Sequence, residues 1–375
     1  MAFNSSKTNL NIGLAQALTK TWGIAMKNIR SLLAASLCLA APLAFAQNAV
    51  TIYGLIDLGV THYSHTKPTG ASLTRMDSGQ AQGSRWGIRG TEDLGSGLNT
   101  IFLLESGFNA DDGSSGQGGL LFGRQAYVGL QKKGLGTLTM GRQYDFMAGF
   151  GAQYAMGAQS AAGSLAWGLH ADAAHGTLLN NHLYAGDRTN NSVKLESEKY
   201  AGFSAGAMYG FGEVAGDSKA GRAVSLRADY AGSRLGMGVS SVQTWDAAGQ
   251  AAKRIGAVGF IYKFDSARAF GSWASATDVP SALKAKTYEI GVGALVTGSL
   301  DLSAAYQFQD RNHGVGNAKA FIAVADYLLS KRSDVYLSFV RGLDDGYNAY
   351  PVFGGGIQAA NGQQSAIRVG LRHRF

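Results

Sequence analysis

The chain has little of what holds most exported proteins of its size together. Its 375 residues include one cysteine, Cys38, and only four prolines. Charged residues make up 15%, far fewer than a disordered, self-repelling chain carries. No apolar run of 18 or more follows Ala46, so the sequence beyond it holds no candidate membrane-spanning helix. Between Arg142 and Arg188 there is no lysine or arginine at all. These absences exclude a disulfide scaffold, a helical membrane protein and a charge-rich linker.

What is present begins with a leader. Met26-Lys27-Asn28-Ile29-Arg30 is basic, Leu32 to Leu43 is apolar, and Ala44-Phe45-Ala46 is a small-x-small cleavage site before Gln47. Residues 26–46 therefore read as a secretory signal peptide, too short to span a bilayer. Residues 1–25 precede an internal methionine and read as an extension upstream of the natural start. The mature domain is expected over 47–375. Cleavage removes Lys7, Lys20, Lys27, Arg30 and the only cysteine, so the formal charge falls from +8 to +4. An exported chain without disulfides must rely on its hydrogen-bond ladder and on burial. Export also excludes nucleic acid as the partner of its basic charge.

The mature chain repeats one pattern: about ten residues of period-two alternation, then a turn or a loop. Ile52, Ile56, Leu58 and Val60 alternate with Tyr53, Asp57 and Thr61; Leu302, Ala304, Tyr306 and Phe308 alternate with Ser303, Ala305, Gln307 and Gln309. Ile367, Val369, Leu371 and His373 alternate with Arg368, Gly370, Arg372 and Arg374. One apolar and one polar face is the signature of a strand. Seven short connections, such as Asp93–Gly97 and Lys132–Leu135, interleave with eight long ones, the first being Ser64–Gly83. Fifteen connections join sixteen strands, at roughly 20 residues per strand and connection, which suits strands of about 9–11 residues. The expected fold is all-β: a sixteen-stranded antiparallel transmembrane barrel, with short turns on the periplasmic side and long loops outside. A soluble propeller or sandwich would also alternate, but the leader, the terminal Phe375 and the turn asymmetry weigh against it.

One connection stands apart. Tyr144 to Asp187 exceeds forty residues, beyond ordinary loop lengths, and is therefore either functional or disordered. Its glycine, alanine, leucine and aromatic content argues for order. As the third external loop it is expected to fold into the lumen. Its charges are Asp145, Asp172 and Asp187, with His170, His175 and His182.

Strand parity assigns charges to the lumen wall. Trp86 and Ile88 on the lipid face turn Arg85 and Arg89 inward; Val193 and Leu195 do the same for Lys194. Arg188 sits where the long loop rejoins the wall, and Arg124 has ambiguous parity. Arg142 is in register with Leu138 and Met140, which puts it at the rim or behind a bulge. An arginine-lined wall facing a weakly acidic loop favours anions, because guanidinium is always charged and pairs bidentately with oxyanions. The plainer role for each arginine is to pair with loop carboxylates or with lipopolysaccharide at the rim. No catalysis is expected, and no cofactor or metal site.

Several segments resemble the general porins of Gram-negative bacteria, in the betaproteobacterial branch. They are VTIYGLIDLGV, SRWGIRGTEDLGSGLNTIFLLESGFN, LFGRQAYVGLQKKGLGTLTMGRQYD, DRTNNSVKLES, GAMYGFGEVAG and the ending VGLRHRF. Together they span the mature chain. The resemblance implies a homotrimer of sixteen-stranded barrels in outer-membrane lipid and lipopolysaccharide. In such barrels the third loop forms the constriction, and small hydrophilic solutes diffuse through. In anion-preferring members an arginine cluster lines the constriction, and Arg85, Arg124 and Arg188 match it by motif. Phe375 matches the terminal aromatic read by the outer-membrane assembly machinery. Leu103 departs from the family, which commonly has a polar lumen residue there. A substrate-preferring channel or a surface adhesin is the alternative function.

Overall fold

Alternation in this chain builds a sheet turned inside out: apolar side chains face outward and polar ones are buried. In β14 (Leu300–Arg311) Tyr306 is 45% exposed, while the neighbouring Gln307 and Gln309 are fully buried. In β17 (Gln363–Arg374) Ile367, Val369 and Leu371 are exposed, and Arg368 between them is fully buried. A soluble sheet would show the reverse; a lipid-facing outer row with a polar interior is what a membrane barrel requires.

The computed structural model describes residues 49–167, 188–312, 316–344, 359 and 362–375. Residues 1–46, Asp172, Asp187 and the three loop histidines His170, His175 and His182 lie outside the described residues. The first part of the ring comprises β1 (Ala49–Tyr63), β2 (Leu73–Ser78), β3 (Arg85–Asp93), β4 (Leu98–Gly107), β5 (Gln125–Lys132) and β6 (Gly136–Tyr144). Then come β7 (Arg188–Ser197), β8 (Phe203–Gly210), β9 (Ala223–Ala231), β10 (Leu235–Trp245) and β11 (Ala251–Lys263). The ring continues through β12 (Ala267–Asp278), β13 (Lys284–Leu295), β14, β15 (Ala318–Leu328), β16 (Ser333–Asp344) and β17. From β3 to β17 each strand pairs antiparallel with the next, and β1 pairs with both β3 and β17, so the sheet closes. Among the described residues no helix is long and apolar enough to cross a membrane.

Seventeen strands make sixteen staves. The second stave is split: β2 pairs with Leu58 to Tyr63 of β1, and β3 pairs with Ala49 to Leu55. The first external connection is thus shorter than Ser64–Gly83, because Leu73–Ser78 continues the wall. Residues 79–84 leave the ladder between the two halves and turn around Asp57. The Asp57 carboxylate accepts the backbone N–H of Ala81 (2.6 Å) and Gln82 (3.0 Å). Its backbone carbonyl accepts Gly79 N–H (2.8 Å).

Asp57 belongs to a buried network that bolts the closing seam. Tyr336 donates to it at 2.5 Å. The fully buried Arg368 donates to the Tyr336 hydroxyl (2.9 Å), Thr61 Oγ1 (2.9 Å) and the carbonyls of Gly59 (3.2 Å) and Asp77 (2.9 Å). Its guanidinium lies 3.7 Å from Asp57 and 3.9 Å from Asp77. Residues of β1, β2, β16 and β17 thereby share one satisfied charge cluster.

The long third connection is not irregular throughout. It opens with α1 (Phe146–Tyr154), followed by α2 (Met156–Gln159) and a short 3-10 turn over Gly163–Trp167. Asp145 caps α1 by accepting Ala148 N–H at 3.0 Å, which satisfies one donor at the helix start. Phe146, Met147, Phe150 and Tyr154 form the buried stripe of α1, at the spacing of one helical face. That stripe needs a smooth wall. A Cβ on Gly259 would come within 2.8 Å of Tyr154 and 2.9 Å of Phe150, and one on Gly238 within 2.7 Å of Tyr154. Polar bonds then tie the segment to inward side chains around the ring. Phe146 N–H donates to Ser225 (3.1 Å), Tyr154 to Asp229 (3.1 Å), and Met156 N–H to Glu289 (2.7 Å). Arg268 donates to the Gln159 carbonyl (2.6 Å), Ser338 to that of Ala161 (3.0 Å), and Ser164 to Gln80 (2.7 Å). Burial and the Asp229 carboxylate raise the Tyr154 hydroxyl above its usual range, which keeps it a donor.

Replacing Asp57 by alanine strands the buried Arg368 and two backbone donors, so unfolding of the barrel in lipid vesicles should become easier by about 3–5 kcal/mol. Denaturant titration followed by gel mobility measures this. Gly259→Val places a branched side chain where α1 packs, and overpacking of this kind costs about 1–3 kcal/mol. It should leave the ring intact but free the helix, read as faster chymotrypsin cleavage after Phe150 or Tyr154.

Candidate functional site

Between the inserted segment and the opposite wall lies a water-accessible cavity of about 1080 Å³. Its lining is unbalanced in charge. Arg85, Arg124, Arg188, Lys194, Arg227, Arg268, Arg372 and Arg374 face it, against Asp145, Glu196, Asp301 and Asp326.

The centre of the basic wall is built on Glu105 and Tyr144. Arg124 sits just before β5, where its Nε donates to Glu105 Oε1 at 2.8 Å and its Nη2 to the Tyr144 hydroxyl at 2.7 Å. Arg85 opens β3 and approaches the other Glu105 oxygen at 3.8 Å, while Tyr53 donates to that oxygen at 2.6 Å. Arg188 opens β7; its Nη2 donates to the same Tyr144 hydroxyl at 2.8 Å, and its guanidinium lies 4.7 Å over the Tyr144 ring. Arg124 and Arg188 thus meet on one phenol oxygen. Gly83 leaves the room that Arg124 uses, since a Cβ there would lie 2.9 Å from Nη1.

Lys194 also reaches the cavity, its ammonium 4.6 Å over the Phe146 ring and 3.3 Å from Glu196. Two expected wall residues stand apart. Arg89 has the inward parity of Arg85 but lies further down β3, with its guanidinium 5.2 Å over Tyr53, and does not line the cavity. Arg142 sits at a bulge: the β6–β7 register shifts between Gly141 and Gln143. Its side chain is spent on the Gly123 carbonyl (2.8 Å) and Asn190 (2.5 Å), off the cavity. Asp145 lines the cavity but is 1% exposed and committed to the helix cap.

Parity could have found three of the residues that sequence reading missed. In β9, Val224, Leu226 and Ala228 alternate with Ser225, Arg227 and Asp229, and Arg227 pairs closely with Asp229. Arg372 and Arg374 occupy the polar row of β17, where they meet Asp326 and Asp334. Arg268 was masked by its inward neighbour Phe270. It binds Asp301 through two nitrogens at 2.7 and 2.9 Å. Phe375 closes the ladder: its N–H donates to the Gly54 carbonyl (3.0 Å), and Gly54 N–H returns to its oxygen (3.1 Å). On the outer face, Ser333 and His373 share a 2.8 Å hydrogen bond.

This architecture has counterparts among known proteins. The Gram-negative porin family model matches residues 33–347. An outer membrane porin of Bordetella pertussis is 30% identical over 92% of this chain and all of its own length. The outer membrane porin protein 32 of Delftia acidovorans is 29% identical over 92% of this chain and 99% of its own length. Among solved structures, an anion-selective porin from Comamonas acidovorans superposes with a TM-score of 0.71 at 25% identity, covering 88% of this chain and all of that one. A closed barrel with an apolar outer row, a polar cavity and these relatives identifies the chain as a member of the Gram-negative porin family, channel-forming barrels of the outer membrane.

Proposed function

We propose that this porin passes small hydrophilic solutes and inorganic or organic ions by passive diffusion, with a preference for anions. The observation that carries the preference is the two-to-one excess of basic over acidic side chains around one cavity. A narrow aqueous path between low-dielectric walls focuses the field of its lining charges. Arg85, Arg124, Arg188 and Lys194 would form the principal anion path, extended by Arg227 and Arg268, with Arg89 and Arg142 outside it. The loop at about 144–187 would be the constriction. Asp145 acts as its helix cap, and Asp172 and Asp187 lie outside the described residues. The anion selectivity ascribed to the Comamonas porin is consistent with this reading.

Its setting follows from the family resemblance. The signal peptide at 26–46 would be cleaved before Gln47, and Phe375 would be the handle for the assembly machinery. The barrel would stand as a homotrimer among lipid and lipopolysaccharide. The exposed apolar row of Ile52, Ile56, Val369 and Leu371 suits either a subunit contact or lipid. No catalysis is proposed: no third group orienting the Ser333–His373 pair is seen among the described contacts, as a triad would need.

The test is the reversal potential of the purified protein in a planar bilayer under a KCl gradient. The expected value lies on the chloride side. A charge about 8 Å from the ion path in water is worth roughly 0.5 kcal/mol. Removing one such charge disfavours chloride and favours potassium by that amount each, so Arg85→Gln with Arg124→Gln should lower the chloride-to-potassium permeability ratio about fivefold per charge. Reversal on the potassium side would overturn the anion preference while leaving the channel.

A further inference from the structure

We infer that Tyr144 is a positioning residue that sets ion preference by holding the Arg124 and Arg188 guanidiniums together on one hydroxyl. The inference rests on the channel reading above. Its geometry is specific: Arg124 Nη2 and Arg188 Nη2 donate to one hydroxyl oxygen, at 2.7 and 2.8 Å. Their terminal nitrogens therefore lie within two hydrogen-bond lengths of each other. The same ring lies beneath both cations, 5.9 Å from the Arg124 carbon and 4.7 Å from that of Arg188, a placement that attracts cations through the ring quadrupole.

Two like charges this close repel, and something must offset that repulsion. Glu105 offers one solution nearby: a carboxylate facing Arg85 and Arg124, whose single negative charge offsets part of their positive charge at the wall. A phenol is the other solution. Its hydroxyl accepts a hydrogen bond from each guanidinium and adds no carboxylate to the wall. Hydrogen bonds from charged donors are also the stronger kind.

The position of Tyr144 adds a second consequence. It is the last residue of β6, precedes the cap Asp145, and pairs in register with Arg188. Both ends of the long third connection are thereby tied to the cationic pair. The hydroxyl couples the take-off of the inserted segment to the location of the charges that face it.

The test compares Tyr144→Phe with the parent in the KCl-gradient bilayer experiment. Phenylalanine keeps the ring, the volume and every formal charge. If charge alone mattered, the reversal potential would not move. The inference expects the permeability ratio to fall about twofold, with heat resistance of the folded barrel on a gel unchanged. A parent that reverses on the chloride side and a Tyr144→Phe variant with the same ratio would overturn the inference and leave the anion preference standing. A parent that reverses on the potassium side would overturn the preference, while a shift in the variant would still support the hydroxyl's role. If Tyr144→Phe does not fold, the cycle of Arg124→Gln and Arg188→Gln decides. Non-additive shifts in log permeability ratio support a coupled pair, and additive shifts overturn it.

Discussion

Closure of the sheet at the β1–β17 seam is the constraint on which the rest depends. In hydrocarbon an unpaired strand edge would leave a row of backbone donors and acceptors without partners, each at a cost of several kcal/mol. Nine residue pairs from Leu55↔Arg374 to Tyr63↔Ala366 remove that edge. Phe375 and Gly54 extend it by a reciprocal pair of hydrogen bonds. The seam joins the two ends of the chain, so it is the most non-local contact in the ring. Arg368 and Asp57 meet there with Tyr336, Thr61 and Asp77, all inside the wall. A buried ion pair is a weak stabiliser in general. Here its function is registration: its hydrogen bonds are satisfied only when β1, β2, β16 and β17 align by one particular offset.

The same residue type therefore serves two ends, and the acceptors around it separate them. Arg368 is fully buried, and Arg311 is fully buried against Asp344 at 2.5 Å. Each faces carboxylate, and their fields are neutralised where they arise. Arg85, Arg124 and Arg188 instead gather around the single Glu105 carboxylate and the Tyr144 hydroxyl. All three line the cavity. Sequence alone reports arginine in both cases; the difference lies in which acceptors the neighbouring staves present at the same depth.

The barrel itself was legible because its two signals are periodic. Alternation and the short–long rhythm of connections need no tertiary information, and Trp86, Ile88, Val193 and Leu195 oriented Arg85 and Lys194 correctly. What failed was depth and local irregularity. Arg89 has the right face at the wrong height, since parity fixes a side and not a level. Arg142 falls at a bulge that period-two counting can suspect but not place. The split second stave depends on Asp57, a residue some 25 positions from the turn it holds. The helix α1 was visible in principle, with Phe146, Phe150 and Tyr154 at i, i+4 and i+8 behind the cap Asp145. Gly149 and Gly151 within it lower helix propensity by about 1 kcal/mol each, and they made the stretch read as irregular. Tertiary packing against Gly238 and Gly259 overrides that penalty.

The way the inserted segment is anchored bears on the field it shapes. From Tyr144 to Trp167 it carries a single charged side chain, Asp145, and that carboxylate is turned to backbone donors at the start of α1. Everything else that holds the segment is apolar burial, worth on the order of 2 kcal/mol per large side chain, or hydrogen bonds to wall residues. The charges in those bonds, Asp229, Glu289 and Arg268, belong to the wall. A segment pinned by its own lysines or glutamates would add charges of fixed sign opposite the arginines, at a few ångströms, where screening by salt is least effective. Aromatics on glycines and backbone amides on wall acceptors achieve the same fixation without them. Over Tyr144 to Trp167 the segment thus presents to the cavity no charge beyond its capped Asp145, and the remaining described charges that line it belong to the wall.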